Sequence, residues 1–328
     1  MQTVAIVGAT GAVGQEILHL LAERQFPLRS LKVFASERSR GKTIRFKNDE
    51  IPIETLTTLK GIDLAFFCAG SSLSKEWREK ADCLVIDSSS AFRMKSDVPL
   101  VIPEINPHTM KGQWIASPNC IATILLMSLF PLHRKYQAKR IVLATYQAAS
   151  GGGARLMQEL EEETRAHLEK RPYRHQLAVP YAFNLFPHLS PLDASGYVEE
   201  EIKIGDETRK ILEDDAIQIS ATCVRVPVLR AHSIAVNVEF RNPFSLEEIP
   251  ECFKNVSGVK IFENRSENRF ATPFDVSGKD EVFCGRFRID PSQPNTLEFW
   301  AVGDQLRKGA ALNAVQIAEH YVAKKNIS

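Results

Sequence analysis

A cysteine stands at the start of an apolar segment that has the pattern of a helix. The sequence SPNC occupies residues 117–120 and precedes the helical pattern of residues 121–134. We predict Asn119 as the N-cap, because an asparagine side chain accepts a hydrogen bond from the first backbone amides of a helix. Cys120 then lies in the first turn, where the helix dipole stabilises a thiolate. Cys120 is therefore a candidate nucleophile for a carbonyl carbon, with a small core residue as the alternative.

A second group of reactive residues lies in the stretch CVRVPVLRAHS, residues 223–233. Strand alternation places Cys223 and Arg225 on one face, and Pro227 indicates that the strand ends just beyond them or forms a sheet edge. The forked guanidinium of Arg225 is suited to clamping a carboxylate. His232 is a candidate acid/base for a thiolate and its thioester. A structural arginine and a surface histidine fit the same local sequence, so both interpretations stay open at this point.

A glycine-rich turn follows the first apolar run of the chain. The sequence GATGAVG, residues 8–14, stands between a strand pattern at 3–7 and a helix pattern. Glycines let backbone amides approach a pyrophosphate, and a helix N-terminus favours its negative charge. A plain tight turn is the structural alternative, but the strand-turn-helix context is the one that a dinucleotide site requires. We therefore predict that the cofactor is bound by Gly8, Thr10, Gly11, Ala12, Val13 and Gly14.

The end of the second predicted strand bears on the choice of dinucleotide. An NAD site usually offers an acid there for the ribose hydroxyls. Here the sequence SERS includes Glu37, but Ser36, Arg38 and Ser39 can hold a 2′-phosphate through charge and hydroxyl groups. A solvated charged loop is the alternative. We predict NADP in preference to NAD.

Two patterns of secondary structure divide the chain. Up to residue 119, short apolar strands alternate with helices, which predicts a parallel α/β sheet. The strands are predicted at 3–7, 31–36, 62–68 and 83–87, with a helix at 73–81. After residue 119, longer strands predict an α+β domain with a mixed or antiparallel sheet. Its elements are predicted as helices at 121–134 and 156–169, and strands at 139–147, 218–224, 233–240 and 296–302. A final helix is predicted at 310–323.

The composition argues against several classes of protein. With 41 Lys and Arg against 40 Asp and Glu, the net charge of +1 does not favour binding to nucleic acid by bulk charge. The 6 cysteines form no CxxC pair, so neither a zinc ribbon nor a disulfide scaffold is predicted. The longest strongly apolar stretch, 121–130, is too short to span a bilayer. We expect a cytoplasmic protein with no metal, membrane or nucleic-acid partner.

Several sequence blocks, spread in order over essentially the whole chain, together resemble the aspartate-semialdehyde dehydrogenase family. They are GATGAVG, SSAFR (89–93), VIPEIN (101–106), SPNC, TYQAASG (145–151), EEIKIGDETRKIL (200–212), RVPVLRAHS (225–233) and DQLRKGAALNAVQIAE (304–319). The combination is highly specific, whereas any single block is not.

The resemblance implies NADPH-dependent reductive dephosphorylation of L-aspartyl 4-phosphate to L-aspartate 4-semialdehyde and phosphate, through a cysteine thioacyl intermediate. This reaction feeds lysine or diaminopimelate, threonine and methionine synthesis. The resemblance also implies a homodimer and a Rossmann domain that the C-terminal helix completes. We therefore predict a dinucleotide-binding domain at 1–119 and 306–328, and a catalytic and dimerisation domain at 120–305.

The resemblance also implies roles for individual residues. Cys120 falls on the nucleophile, His232 on the acid/base and Gln147 on the substrate-orienting glutamine. Arg225 falls on the arginine that binds the α-carboxylate. Glu200, the middle of three consecutive acids, falls on the residue that contacts the amino group.

Two further sets of residues follow from the same resemblance. Arg93 and Lys203 fall on the pair that binds phosphate, with Asn119 nearby. Ser150, Gly151 and Gln305 join the predicted cofactor-binding residues.

Two alternatives bear on this interpretation. N-acetylglutamyl-phosphate reductase or an acyl-CoA reductase would keep the glycine turn and the cysteine but would need no binder for a free amino group, so Glu200 and Arg225 favour the aspartate substrate. A non-catalytic relative or an NADP-binding sensor would be expected to lose parts of the site.

Overall fold

A computed structural model describes residues 1–325 and divides the chain into two units. The first unit comprises residues 1–119 and a returning segment that begins at Ala310, and the second comprises Cys120–Gly309. Residues 306–309, which we placed with the dinucleotide-binding domain, group with the second unit. The predicted range 306–328 also includes residues 326–328, which lie outside the described residues.

The first unit is built on a seven-stranded sheet with the order β3-β4-β2-β1-β5-β6-β7. Its strands are β1 (Gln2–Val7), β2 (Leu28–Phe34), β3 (Thr43–Phe46), β4 (Asp49–Glu54), β5 (Leu64–Phe67), β6 (Leu84–Asp87) and β7 (Trp114–Ala116). All neighbouring pairs are parallel except β3 with β4. The predicted parallel α/β sheet is confirmed. The antiparallel hairpin of β3 and β4, rich in charged residues, was not predicted.

Helices cover this sheet through apolar faces of helical period. They are α1 (Ala12–Glu23), α2 (Ser71–Trp77) and, in the returning segment, α8 (Leu312–Lys325). Ile17, Leu20 and Leu21 of α1 are fully buried, and Val315 and Ile317 of α8 join them in one core with β1. The last helix begins two residues later than predicted, because a π-turn over Arg307–Ala311 precedes it.

The second unit contains a mixed seven-stranded sheet with the order β12-β15-β16-β11-β8-β10-β9. Its strands are β8 (Ala138–Gln147), β9 (Phe186–Pro187), β10 (Gln218–Arg225), β11 (His232–Phe240), β12 (Val259–Ile261), β15 (Val282–Ile289) and β16 (Thr296–Gly303), and β13 (Glu263–Asn264) pairs with β14 (Arg269–Phe270). Pairs β8/β10 and β12/β15 are parallel and the other pairs are antiparallel. The predicted mixed sheet is confirmed.

The helices of the second unit differ in how apolar they are. They are α3 (Cys120–Tyr136), α4 (Ala154–Leu168), α5 (Glu199–Leu212), α6 (Ile249–Cys252) and α7 (Pro273–Val276). Nearly all of α3 is buried, and it packs on β8, β11, β15 and β16. By contrast, α5 opens with three acids, which suit the positive end of a helix dipole. Because its sequence is largely polar, apolar periodicity did not predict this helix. No helix within residues 1–325 combines the length and apolarity needed to cross a bilayer.

The strand register of the second sheet brings distant parts of the sequence to one edge. In the parallel pair β8/β10, Gln147 lies opposite Arg225 at the ends of both strands. The antiparallel strand β11 begins at this same edge with His232. Parallel strands end together and an antiparallel neighbour starts there, so three predicted site residues meet.

Candidate active site

Cys120 is the first residue of α3 and is half-buried. Gly309 lies beside it, and a Cβ at that glycine would stand 3.0 Å from the Cys120 Cβ. Cys83 and Cys223 are buried, and burial raises the pKa of each to about 12, which keeps them as thiols. A partly accessible cysteine at a helix start is therefore distinct from these buried ones.

His232 is wholly buried at the start of β11, so the alternative of a surface histidine is wrong. Its Nδ1 accepts a hydrogen bond from the backbone N–H of Ala148, at 2.9 Å. A neutral imidazole with an accepting Nδ1 must carry its proton on Nε2. That Nε2 is buried and has no hydrogen-bond partner within residues 1–325. Gly151 keeps the space in front of it open, since a Cβ there would lie 2.8 Å from Nε2.

The electrostatic surroundings keep His232 neutral. Burial holds the pKa of His232 well below its ordinary value of 6.5, and the positive charge of Arg225 adds to the effect. Protonation would also turn Nδ1 into a donor facing the donating amide of Ala148. The ring is thus a neutral donor over the neutral pH range.

Arg225 lies at the end of β10 and is 7% exposed. Its Nη1 donates to the carbonyl of Ala148 at 2.7 Å, and its Nη2 donates to Nε2 of His188 at 3.0 Å. A guanidinium carries five N–H donors, so donors remain for a carboxylate. Ala148 accepts from Arg225 through its carbonyl and donates to His232 through its N–H, so the backbone of this one residue contacts both side chains.

Gln147 and Glu200 meet beside this group. Gln147 is buried, accepts from the Thr145 hydroxyl at 3.1 Å and donates from Nε2 to Glu200 Oε1 at 3.4 Å. Thr145 was not predicted. Its role in fixing the glutamine amide follows from their i, i+2 spacing on one strand face.

The three consecutive acids of α5 have different partners. Glu199 pairs with Lys203 at 2.7 Å. Glu201 accepts backbone hydrogen bonds from Val198 at 3.0 Å and Cys223 at 2.8 Å. Glu200 is the acid that faces Gln147, which favours it over its neighbours as the ligand for an amino group.

Ser150 and Gln305 brace the turn Ala149–Gly152 that contains Gly151. Gln305 Nε2 donates to the Ser150 hydroxyl, and its Oε1 accepts from the Ala231 amide at 2.9 Å. Both the nitrogen and the oxygen of the Gln305 amide are thus hydrogen-bonded to other groups of the protein. Cofactor binding by Ser150, Gly151 and Gln305 stays a prediction.

The glycine turn of the first unit is built for close backbone approach. Gly8 has φ +96°, and a Cβ there would lie 2.8 Å from the Cys68 carbonyl carbon. A Cβ at Gly14 would lie 2.4 Å from the Gly8 carbonyl oxygen. Ala12 and Val13 are the first residues of α1. The backbone amides at the start of this helix therefore face the glycine-rich segment.

A cleft of about 490 Å³ adjoins this turn in the first unit. Its lining includes Gly8, Thr10, Gly11, Ser36 and Thr55. The glycines leave space that side chains would otherwise fill, and this space lies at a helix N-terminus. Both features suit the binding of a dinucleotide pyrophosphate.

The loop after β2 carries the residues expected to choose the dinucleotide. Ser36 and Arg38 are exposed, and Ser39 is half-buried. The Glu37 carboxylate accepts from the Thr55 hydroxyl at 2.8 Å and lies 3.6 Å from Arg40 Nη1. Glu37 thus already has contacts with Thr55 and Arg40.

Two of the predicted phosphate ligands belong to the first unit. Arg93 is 8% exposed and donates to the carbonyls of Ser117 at 3.0 Å and Ser88 at 2.8 Å. Asn119, also buried, is the last residue before α3. Lys203, the third predicted ligand, is on α5 in the second unit.

The dinucleotide fold and the mixed-sheet unit with its cysteine and histidine define an NAD(P)-dependent oxidoreductase. Residues 3–113 match the family model "Semialdehyde dehydrogenase, NAD binding domain", and residues 129–308 match "Semialdehyde dehydrogenase, dimerisation domain". The chain belongs to the aspartate-semialdehyde dehydrogenase family, as its similarity to the following proteins shows.

Relatives from distant bacteria are similar over nearly the whole chain. The aspartate-semialdehyde dehydrogenase of Synechocystis is 52% identical over 98% of this chain and 97% of its own length. That of Aquifex aeolicus is 45% identical, with 96% of each chain covered. The crystal structure of aspartate semialdehyde dehydrogenase II from Vibrio cholerae, complexed with ASA, has a TM-score of 0.94 at 39% identity and covers 98% of each chain. The chain is thus an oxidoreductase of amino-acid biosynthesis with an NAD(P)-binding Rossmann domain.

Proposed function

We propose that this protein reduces L-aspartyl 4-phosphate with NADPH to L-aspartate 4-semialdehyde and phosphate. The observation that carries the proposal is the group of Arg225, His232, Gln147 and Glu200 at one sheet edge. Arg225 is complementary to the substrate α-carboxylate and Glu200 to its ammonium group. The Vibrio cholerae relative complexed with ASA supports the same choice of substrate. We also propose a cytoplasmic location and a place in lysine or diaminopimelate, threonine and methionine synthesis.

Cys120 is the proposed nucleophile. Its thiolate attacks the acyl carbon, a C–S bond forms, and the C–O bond to the leaving phosphate breaks. NADPH, when bound, supplies the hydride that reduces the thioester carbon. Breaking of the C–S bond then releases the aldehyde and regenerates the thiolate. Covalent catalysis in this way replaces one difficult displacement by two easier steps.

His232 is proposed to act as a neutral hydrogen-bond donor. The alkoxide formed on the thioacyl carbon needs a donor until the C–S bond breaks. His232 offers Nε2–H, because its Nδ1 already accepts from Ala148. The collapse of the alkoxide to aldehyde and thiolate requires no proton transfer. This role refines the acid/base function that the resemblance implied.

The phosphate ligands are proposed to be Arg93, Lys203 and Asn119. Lys203 is 26% exposed and pairs with Glu199. A surface pair of this kind is weak, so a dianionic ligand can displace the glutamate. The two hydrogen bonds from Arg93 to backbone carbonyls fix the position of its cationic guanidinium.

NADP is proposed as the cofactor, held at the glycine turn and by Ser36, Arg38 and Ser39. We expect Arg38→Ala to raise the KM for NADP about 10- to 100-fold, because a charge-assisted bond to the 2′-phosphate is lost. The KM for NAD should change little. Steady-state kinetics with both cofactors measure this, and Arg45→Ala, an exposed arginine on β3, is the control. Equal losses with NADP and NAD would contradict a 2′-phosphate contact.

A homodimer is proposed from the mixed sheet of the second unit, which matches the dimerisation-domain model. The sheet face opposite to α3 carries the half-buried apolar residues Val142, Ala144, Ala235 and Trp300 together with the exposed Tyr146. The same face also carries Asn237, Arg288 and Glu298, and a surface that combines apolar with polar side chains is typical of an interface. A second copy of the chain is its proposed occupant.

The proposed function is tested by running the reaction backwards. We expect NADP reduction by L-aspartate semialdehyde to depend strictly on inorganic phosphate, because phosphate must release the thioacyl group. Absorbance at the NADPH band, with and without phosphate, measures this. No signal from folded protein that binds NADP would indicate a different acyl substrate. A signal indifferent to phosphate would indicate thioester hydrolysis, as in a non-phosphorylating aldehyde dehydrogenase.

A further inference from the structure

We propose that His188 is a positioning residue for the substrate α-carboxylate: as a neutral imidazole it holds the Arg225 guanidinium, and its protonation weakens substrate binding. This inference rests on the proposed function, which assigns Arg225 to the carboxylate. Neither the sequence motifs nor the resemblance pointed to His188.

The position of His188 is fixed by its backbone. It follows β9, and its N–H donates to the carbonyl of Cys223 on β10 at 2.9 Å. This bond sets the imidazole beside the end of β10, where Nε2 lies 3.0 Å from Arg225 Nη2. An arginine nitrogen can only donate, so His188 Nε2 must offer a lone pair.

The other ring nitrogen faces Ser190. The Ser190 backbone N–H points at Nδ1 as a donor at 3.2 Å, and the Ser190 hydroxyl lies 3.1 Å from the same atom, so both ring nitrogens of His188 face a donor. A neutral ring accepts at only one nitrogen, and the charged donor Arg225 makes the stronger bond. We therefore place the proton on Nδ1, where it is donated to the Ser190 hydroxyl, and in this tautomer the weaker, neutral bond from the Ser190 N–H is given up.

A series of hydrogen bonds connects the two histidines. It runs from Ser190 through His188 and Arg225 to the Ala148 carbonyl, and the N–H of the same residue donates to His232. The two histidines have opposite tautomers, Nδ1–H in His188 and Nε2–H in His232. Arg225 is thus held on both terminal nitrogens, which orients its remaining donors and lowers the entropic cost of binding a carboxylate.

The charges around His188 come from three elements. Arg225 on β10 and Lys203 on α5 oppose protonation, Glu200 and Glu201 on α5 favour it, and His232 on β11 lies within electrostatic range. Burial is the largest influence and, with the cations, holds the pKa of His188 below its ordinary value of 6.5. At neutral pH the imidazole is uncharged and accepts from Arg225. As the pH falls through this pKa, the acceptor is lost and a second cation forms 3.0 Å from the guanidinium nitrogen.

The test compares the KM for L-aspartate semialdehyde at saturating phosphate and NADP as the pH is lowered from 7.5. We expect the wild-type KM to rise below about pH 6.5. His188→Gln keeps an acceptor near the Nε2 position but cannot titrate, so its KM should match the wild type at neutral pH and stay flat. His188→Leu removes the acceptor, and its KM should be about tenfold higher at every pH, with kcat within about twofold.

The control is His19→Gln, which removes an exposed imidazole on α1 and should reproduce the wild-type profile. At each pH, the ratio of the variant's KM to the wild-type KM cancels the effect of the titration of phosphate. A His188→Gln enzyme with the wild-type pH dependence, or a His188→Leu enzyme with an unchanged KM, would overturn the inference. Wild-type protein without phosphate-dependent turnover would instead overturn the proposed function.

Nitrogen NMR of the imidazoles gives a readout that needs no turnover. We expect Nδ1–H in His188 and Nε2–H in His232 at pH 7.5. Nε2–H in His188 would show that it does not accept from Arg225, and would overturn the inference whatever the enzyme's substrate.

Discussion

Replacing Cys120 by serine is expected to lower kcat at least about 10⁴-fold while the fold and NADP binding are retained. A serine hydroxyl is far less acidic than a thiol, so it is a much weaker nucleophile at neutral pH. The rate of phosphate-dependent NADP reduction measures the loss. Circular dichroism and NADP titration establish that the variant is folded.

The matched control for this change is Cys252→Ser. Cys252 ends the short helix α6 and its thiol donates to the Glu248 carbonyl at 3.7 Å, so the variant should keep wild-type turnover. Mass spectrometry should detect an acyl adduct on the wild type and on Cys252→Ser but none on Cys120→Ser. Near-native turnover of Cys120→Ser would rule out covalent catalysis through Cys120.

Replacing His232 by leucine is expected to lower kcat about 10²- to 10³-fold, because the developing alkoxide loses its donor. His232→Gln retains an N–H near the Nε2 position and should recover part of this loss. The pKa of His232 lies well below 6.5, and the neutral form is the active one. The contribution of His232 to kcat is therefore present above that pKa and is lost only as the pH falls through it. The wild-type kcat should therefore show no imidazole titration near pH 6.5.

Ser233→Ala provides the control for a change in the same buried strand. The Ser233 hydroxyl is buried without a hydrogen-bond partner within residues 1–325, so its removal should leave kcat unchanged. A wild-type kcat profile that titrates near pH 6.5, and that becomes flat in His232→Leu, would show proton transfer by this histidine instead of neutral donation.

The site combines chemical groups in a single unit of the chain. Arg225, Ala148, His232, Gln147 and Glu200 all belong to the second unit. The Ala148 backbone hydrogen-bonds to Arg225 and His232, and Gln147 hydrogen-bonds to Glu200, which holds the proposed carboxylate ligand, alkoxide donor and ammonium ligand in place. A substrate that is bound through its carboxylate and its ammonium group has its acyl group in a fixed position. Such positioning lowers the activation free energy of the reaction. The effects of the two variants above are therefore expected on kcat, whereas those at His188 fall on KM.

The sequence by itself determined the features that depend on local pattern. Glycines three residues apart after a short apolar strand predicted the dinucleotide turn, and Gly8 and Gly14 have the backbone crowding that requires glycine. A cysteine ahead of a long apolar run predicted the start of α3. The alternation of short strands and helices predicted the parallel sheet. Such patterns repeat over a few residues, so neighbouring letters suffice to specify them.

Only the tertiary structure decided which of the polar residues meet. The backbone of Ala148 contacts Arg225 across 77 positions and His232 across 84 positions of the chain. The tertiary structure likewise distinguished Glu200 from its two acidic neighbours. It also engaged the Gln305 amide with protein groups and brought His188 to Arg225. The physical reason is that strand pairing sets these contacts: β8, β10 and β11 are adjacent in the sheet although they are far apart in sequence. A hydrogen bond of this kind depends on register and burial, which no short stretch of sequence specifies.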